Sequence, residues 1–316
     1  MSRLLERLAS PTPDLCFYGL APPKQSTDPV RLRAIVEAQK ARIAALAPDA
    51  LIVYDLQDES DRQTAARPFP FLPTLAPAHY AHELLGDLPV PKIVYRCVGK
   101  DTPDSFKAWL EEAGPGGGEP RLAVFVGAAT SRGPASGAAT LSLAQAQALA
   151  RPHASTLTFG GIAIAERHAR RGDEHLRLLQ KMEAGCRFFV TQTVYDASAT
   201  KSLLSDYARE LGARGRAPVP IIFTFSPCGS ARTLDLLKWL GIAVPRWLEN
   251  ELLDAQDILA ASLEACETAW RDVLSYARGK GLPVGVNVES VSIRKEEVAA
   301  SVSLFEALRA RLLASR

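Results

Sequence analysis

The sequence lacks an excess of charge of one sign, a long hydrophobic run and closely spaced cysteines. Its 37 Lys and Arg residues nearly balance 35 Asp and Glu residues, so no field of one sign points to nucleic acid or to an anionic membrane. No apolar run is long enough to span a bilayer, and the first residues contain no signal-peptide core. We therefore expect a cytoplasmic protein whose partner is a small molecule. The sequence leaves the oligomeric state open.

The five cysteines are widely scattered, and no two have the two-residue spacing of a redox or zinc motif. We expect them to be reduced thiols, mostly packed in or beside strands. Cys228, in the loop sequence Ser-Pro-Cys-Gly-Ser, is the one expected to be exposed. No carboxylate or cysteine stands at metal-ligand spacing from a histidine, so no metal site is expected.

Apolar segments that are typical of buried strands alternate with segments of helical periodicity. The predicted strands are Leu15 to Leu20, Leu51 to Tyr54, Lys92 to Cys97, Leu122 to Val126, Thr156 to Ile164, Phe188 to Thr191, Pro220 to Phe225 and Val284 to Val288. Because a helix follows almost every strand, the pattern predicts a single TIM-type (β/α)8 barrel domain over residues 1–316. The candidate flexible segments, 115–118 and 127–140, do not separate halves of different composition.

A doubly wound Rossmann sheet is the competing fold. It would need a Gly-x-Gly-x-x-Gly turn after its first strand, where backbone N–H groups hold phosphate. Here that strand runs into Gly19-Leu20-Ala21-Pro22-Pro23, and the two prolines remove N–H donors from the turn. The sequence therefore argues against dinucleotide binding of that kind.

Two features point to the rim at the carboxyl ends of the strands, where barrels of this type bind ligands. Gln192 comes directly after the apolar run that forms the sixth strand. The segment 67–77, rich in proline and phenylalanine, is predicted to be an ordered loop near the second strand and a candidate lid over the site.

Three motifs resemble methylenetetrahydrofolate reductase. They are Phe-Tyr-Gly-Leu-Ala-Pro-Pro at 17–23, Lys-Met-Glu-Ala-Gly at 181–185 leading into Thr-Gln at 191–192, and Val-Pro-Arg-Trp at 244–247. The resemblance implies a barrel that binds FAD at its carboxyl rim, takes hydride from NADH or NADPH, and reduces 5,10-methylenetetrahydrofolate to 5-methyltetrahydrofolate. It thereby implies a role in one-carbon metabolism and methionine biosynthesis.

The same resemblance implies roles for individual residues. Gln192 would contact folate and nicotinamide, and Tyr195 would line the substrate site. The residues implied to lie near the cofactor are Lys181, Glu174 and His168. The neighbouring Arg of the reductase pattern is Gln180 here, and Arg177 is a candidate to supply the positive charge from another position.

Two acids of the reductase pattern are missing. The first-strand Glu, which helps protonate the folate, is replaced by Gly19, and the Asp after the fourth strand is replaced by Ala128. Asp55, after the second strand, and Glu289, after the eighth, are the candidate substitutes. With the flavin site also altered, hydride transfer directly from the nicotinamide is an alternative to transfer through FAD. The alternative functions are a folate-dependent one-carbon transferase and a non-catalytic folate-binding barrel.

Overall fold

The computed structural model describes residues 3–60, 64–112, 120–128 and 140–315. The segment 115–118 lies outside these ranges, as does most of 127–140. Within the described residues the strands are β1 (Leu15–Leu20), β2 (Ala50–Val53), β3 (Lys92–Cys97), β4 (Arg121–Val126), β5 (Leu157–Ala163), β6 (Phe189–Thr193), β7 (Ile221–Phe225) and β8 (Val284–Glu289). They form a closed barrel in chain order, with every neighbouring pair parallel and β8 pairing with β1. The predicted TIM-type barrel is confirmed.

Helices lie between most of the strands and surround the barrel. They are α1 (Arg3–Leu8), α2 (Pro29–Leu46), α3 (Pro77–His79), α4 (Pro103–Glu111), α5 (Leu143–Ala150), α6 (Ala165–Arg171), α7 (Glu174–Glu183), α8 (Ala197–Ala213), α9 (Ala231–Trp239), α10 (Arg246–Asp254), α11 (Ile258–Gly279) and α12 (Lys295–Ala314). Among the described residues, none of these helices is both long and apolar enough to cross a membrane.

The connection between β5 and α7 is itself helical, because residues 165–171 form α6. Its Ala, Glu and Arg residues are good helix formers, and Gly172 ends it with a φ of 70°. On α7 the leucines differ in burial. Leu178 and Leu179 are buried, whereas Leu176 is 38% exposed.

The strands bury both faces, which explains their nearly continuous apolar sequences. The outer face packs against the surrounding helices, and the inner face forms a separate cluster inside the barrel. Leu4 and Leu8 of α1 belong to the inner cluster, so this short helix closes the amino end of the barrel. Arg7 holds α1 in place by donating to Asp14 O at 2.6 Å and pairing with Asp49.

Shortening a buried side chain of α1 should destabilise the whole barrel. Leu8 is 5% exposed, and Leu8→Ala should lower the free energy of unfolding by about 2–5 kcal/mol, because the cavity has no other side chain to fill it. Leu313→Ala, at a position that is 43% exposed, is the matched control and should change it little. Urea unfolding measures both, and equal stabilities would contradict the role assigned to α1.

Candidate functional site

A loop that follows β2 lies across the carboxyl rim. We call residues 64–76 the strap. On one side it meets the loop after β1, where Gln25 N donates to Pro73 O at 2.8 Å. On the other side Arg232, at the start of α9, donates through Nε to Pro68 O at 2.9 Å. Because β1 and β8 lie between β2 and β7 in the barrel, the strap spans the rim above them.

The connection between α9 and α10 covers another part of the rim. Leu240 O accepts a hydrogen bond from Gln192 Nε2 at 3.0 Å, and Ala243 N donates to Glu166 Oε1 at 3.3 Å. Gln192 belongs to β6 and Glu166 follows β5, so this connection lies over the ends of these two strands. The rim is therefore covered from two sides.

Polar side chains from four strand ends meet in the barrel mouth below the strap. Thr193 Oγ1 donates to Glu289 Oε1 at 3.2 Å, and the Tyr54 hydroxyl also donates to Glu289. Asn287 Nδ2 donates to the Tyr54 hydroxyl at 2.9 Å and lies 3.3 Å from Thr224 Oγ1. We call these five residues the mouth cluster. It joins β6, β7, β8 and the residue after β2.

Gly19 makes room for this cluster. It pairs in register with Glu289 of the neighbouring strand, so the two positions lie at the same height. A Cβ at position 19 would come within 2.7 Å of the Tyr54 hydroxyl. Tyr54 thus fills the space that a side chain at position 19 would occupy. The carboxyl group at this height comes from Glu289 on the adjacent strand β8.

The surroundings of the mouth cluster favour a protonated Glu289. Burial raises the pKa of the Glu289 carboxyl, and the hydrogen bonds from Tyr54 and Thr193 only partly oppose this effect. The pKa of Tyr54 is raised well above its ordinary range by burial and by the nearby Glu289 charge. Tyr95 packs edge-on against Tyr54, with ring centroids 4.8 Å apart, and shields this side of the cluster. The carboxyl therefore has the environment of a general acid.

A bulge in β6 decides which of its side chains reaches the mouth. The pairing of β6 with β7 shifts register between Val190 and Thr193. Thr193 then contacts Glu289, while the Gln192 amide bonds to Leu240 O instead. Gln192 and Glu166 line a cavity of only about 10 Å³, which has room for a water molecule at most. The described contacts do not bring Gln192 into the mouth cluster.

Two of the residues expected near the cofactor, Glu174 and Lys181, form a buried ion cluster with Arg167 outside the barrel wall. Glu174 is fully buried, accepts from Arg167 Nη1 at 2.9 Å and lies 3.7 Å from Lys181 Nζ. Lys181 also donates to Ile162 O, and burial lowers its pKa. Since its ammonium group is buried among these partners, it does not present a diphosphate site at the rim. These residues do not fit the FAD site that the resemblance implies.

Three further candidates have structural partners of their own. The Tyr195 hydroxyl is buried and donates to Ser226 O at 2.7 Å. Arg177 Nε pairs with Asp173 Oδ2 at 3.3 Å. Asp55 accepts from Cys97 N at 2.8 Å and lies 2.6 Å from Lys100 Nζ. Of the two candidate substitute acids, only Glu289 thus belongs to the mouth cluster.

His168 and Cys228 also lie away from the mouth cluster. His168 is buried on α6 and contacts Asp206 of α8. Cys228, expected to be exposed, is instead fully buried, because the loop after β7 tucks beneath Ser262, whose hydroxyl accepts from Cys228 N at 2.9 Å. Burial raises its pKa to about 12, so the thiol is not activated for nucleophilic attack.

Sequence reasoning did not select Tyr54, Thr193, Thr224 or Asn287 as site residues. The sequence does contain a pattern that points to Asn287. It lies two residues before Glu289 on β8, so both side chains face the same side of the strand. Tyr54 becomes a candidate only when the pairing of β1 with β2 is known. Thr193 reaches the mouth through the bulge, which no sequence pattern announces.

A larger cavity, of about 750 Å³, opens at the amino end of the barrel, beside α1. Its lining includes Arg3, Arg7, His82 and Lys92. The carboxyl rim is where barrels of this type carry out chemistry, and residues at the amino end usually serve stability. The mouth cluster is therefore the candidate active site.

No protein-family model matches the chain, and no curated protein does. Among solved structures, it is similar to an uncharacterised protein from Clostridium thermocellum that binds two copies of 5-methyl-5,6,7,8-tetrahydrofolic acid. The two are 38% identical with a TM-score of 0.84, over 98% of this chain and 100% of that one.

Dihydropteroate synthase from Xanthomonas albilineans is more distant. It is 15% identical with a TM-score of 0.45, over 98% of this chain and 97% of that one, and likeness at this level carries no argument. The match to the Clostridium thermocellum protein places the chain in the same family as that folate-binding protein. Membership in the methylenetetrahydrofolate reductase family stays a prediction.

Adding a methyl group at Gly19 should disturb the mouth cluster. In Gly19→Ala the new Cβ displaces the Tyr54 ring, which should cost about 1–3 kcal/mol of unfolding free energy. The control is Gly212→Ala in α8, where a Cβ meets nothing within 4 Å and helix propensity should favour alanine. Urea unfolding should show opposite signs for the two variants; a Gly19→Ala protein as stable as wild type would refute the packing argument.

The raised pKa of Glu289 predicts a dependence of stability on pH. Between its ordinary value of 4.5 and its raised folded value, the folded protein holds a proton that the unfolded chain releases. This contribution is therefore present at low pH and is lost as the pH rises.

Glu289→Gln imitates the protonated carboxyl, so its melting temperature relative to wild type should be higher at pH 8 than at pH 4.5. The exposed Glu251→Gln variant in α10 should show no such trend. Thermal melts across this range measure the difference, and parallel curves for wild type and Glu289→Gln would count against a raised pKa.

Proposed function

Because the chain belongs to the same family as the Clostridium thermocellum protein that binds 5-methyl-5,6,7,8-tetrahydrofolic acid, we propose that it binds a reduced folate in its barrel mouth. The observation that carries this proposal is the half-buried Glu289 carboxyl, which lies beside the Tyr54 hydroxyl at the height of Gly19. A carboxyl whose pKa is raised, at the carboxyl end of a barrel strand, has the position expected of a catalytic acid.

The mouth cluster offers matching groups for the polar edge of a pterin. Asn287 Oδ1 is buried and has no hydrogen-bond partner among the described residues. An unpaired buried acceptor is costly, and a ligand N–H group would satisfy it. The pterin ring has such donors on its amino-pyrimidinone edge, and the rings of Tyr54 and Tyr95 supply the apolar wall that a flat heterocycle needs.

The strap has the chemistry to hold the remainder of a folate. Arg232 lies over the Phe69 ring at 4.3 Å, and Arg67 lies between Phe71 and Trp239 at 5.7 and 5.3 Å. Aromatic rings suit the aminobenzoyl group, and guanidinium groups suit the carboxylates of the glutamate tail. Arg67 Nε is buried and lacks a hydrogen-bond partner in the described part of the chain. We place the tail of the folate beneath the strap.

The reaction we propose is the reduction of 5,10-methylenetetrahydrofolate to 5-methyltetrahydrofolate. The Glu289 carboxyl gives its proton to N10, the bond between N10 and the methylene carbon breaks, and an iminium forms at N5. A nicotinamide, NADH or NADPH, supplies the hydride that this carbon accepts. Glu289 is left as a carboxylate and regains its proton from solvent. Since Lys181 and Glu174 do not fit a flavin diphosphate, no step is assigned to FAD.

Binding of 5-methyltetrahydrofolate, measured by calorimetry, tests the first half of the proposal. Wild type should bind, and Glu289→Gln and Tyr54→Phe should weaken binding by about 3-fold to 100-fold, the cost of disturbing a hydrogen bond to a charged or buried group. Glu251→Gln should match wild type. Absence of 5-methyltetrahydrofolate binding by wild type would contradict the proposal. The measured stoichiometry also shows whether this chain binds one copy or two.

NADH or NADPH oxidation that requires methylenetetrahydrofolate tests the second half. Glu289→Gln should lower its rate by about 10² to 10⁴, the range for loss of a general acid. Folate binding without nicotinamide oxidation would favour the alternatives, a one-carbon transferase or a non-catalytic folate-binding barrel. A yellow protein whose flavin is bleached by NADH would instead restore the FAD route.

A further inference from the structure

Outside the barrel wall, three helices bring together two histidines and an aspartate. His168 of α6, His175 of α7 and Asp206 of α8 each place one nitrogen or oxygen atom within 4.8 Å of the others. His168 Nε2 lies 3.2 Å from Asp206 Oδ2, and the two imidazole rings meet edge to face with centroids 5.3 Å apart. This group lies apart from the mouth cluster and has no part in the proposed folate chemistry.

The histidines have unmet hydrogen-bonding capacity. His168 is only 6% exposed, and its Nδ1 has no partner among the described residues. Nδ1 of His175 is likewise buried without a partner there. Nearly all buried polar atoms in proteins are paired, so the orphaned Nδ1 of His175 calls for a bound group. His168 faces Asp206 through Nε2, and this nitrogen, not the orphaned Nδ1 of the same ring, is the one that would bind an ion there. A cation is the group that both imidazole nitrogens and a carboxylate oxygen can bind at once.

We propose that His168, His175 and Asp206 bind a divalent transition metal ion, preferentially Zn²⁺. Two imidazole nitrogens and a carboxylate oxygen form a donor set that zinc accepts, with water as the fourth ligand. In a tetrahedral zinc site the ligand atoms lie roughly 3.3 Å apart, given bonds of about 2.0 Å. The pair His168 and Asp206 already has this spacing, and a ring nitrogen of His175 lies within 4.8 Å of both ligand atoms.

The position of the site indicates a structural role. The three ligands belong to the helices that follow β5 and β6, so a metal ion would fasten α6, α7 and α8 to one another. His175 and Asp206 are half-buried, which leaves the fourth position accessible to water and gives the ion a path of entry. The ion would also fix the helices behind the bulged strand that carries Thr193.

The test uses tag-free, full-length protein dialysed against EDTA and then titrated with ZnCl₂ by calorimetry. Wild type should bind one ion per chain and gain thermal stability. His175→Gln and Asp206→Asn, at half-buried positions that tolerate substitution, should each weaken binding by more than about 10-fold. The control is His153→Gln, in a short helical turn elsewhere on the surface.

Substitution by Co²⁺ gives a second readout, because the visible absorption of the ion reports its coordination geometry. Wild type should show the intense bands of a four-coordinate site, and His175→Gln should lose them. No stoichiometric binding by wild type, or equal binding by all four proteins, would overturn the proposal. In that case His168 and Asp206 form an ordinary hydrogen bond, and His175 only packs against it.

Discussion

The contact between Tyr54 and Glu289 organises the carboxyl mouth of the barrel, and it exists because position 19 carries no side chain. Gly19 and Glu289 are register partners on adjacent strands, so a group on either one enters the mouth at the same height. With no Cβ at 19, the Tyr54 ring fills the space and its hydroxyl reaches the carboxyl of Glu289. The absence of a side chain at position 19 is thereby coupled to the place of the carboxyl group on the eighth strand. A larger residue at 19 would displace the tyrosine that donates to Glu289.

The ion cluster of Glu174, Arg167 and Lys181 has a structural role that does not depend on a cofactor. The buried Glu174 carboxylate pairs with Arg167 and Lys181 and accepts a hydrogen bond from Ile164 N. These contacts fix the end of β5 against α6 and α7. Removing one member would leave an uncompensated buried charge, which is strongly destabilising. Stability alone is thus sufficient reason for these residues to be present, and their presence does not argue for a cofactor.

Much of the fold could be predicted because its signals are local. The strands 15–20 and 92–97 match their predicted bounds to the residue, since a run of apolar side chains needs no partner to be recognised. The candidate site could be predicted only in part. Glu289 was selected from its position after the last strand, but Tyr54 depends on pairing between distant strands, and Thr193 on a bulge. Gln192 was selected from its place at the carboxyl end of the sixth strand and from the reductase resemblance. Its amide bonds to Leu240 O, and its contact with folate stays a prediction.

The strap joins parts of the chain that are far apart in sequence. Its anchor, Arg232, lies 164 residues after Pro68, whose carbonyl it binds. During synthesis from the amino end, the strap therefore emerges long before the helix that holds it. All seven strands from β1 to β7 precede α9 in the chain. Until α9 docks, the strap lacks its bond to Arg232, so this fastening of the cover over the barrel mouth depends on a helix that is synthesised late.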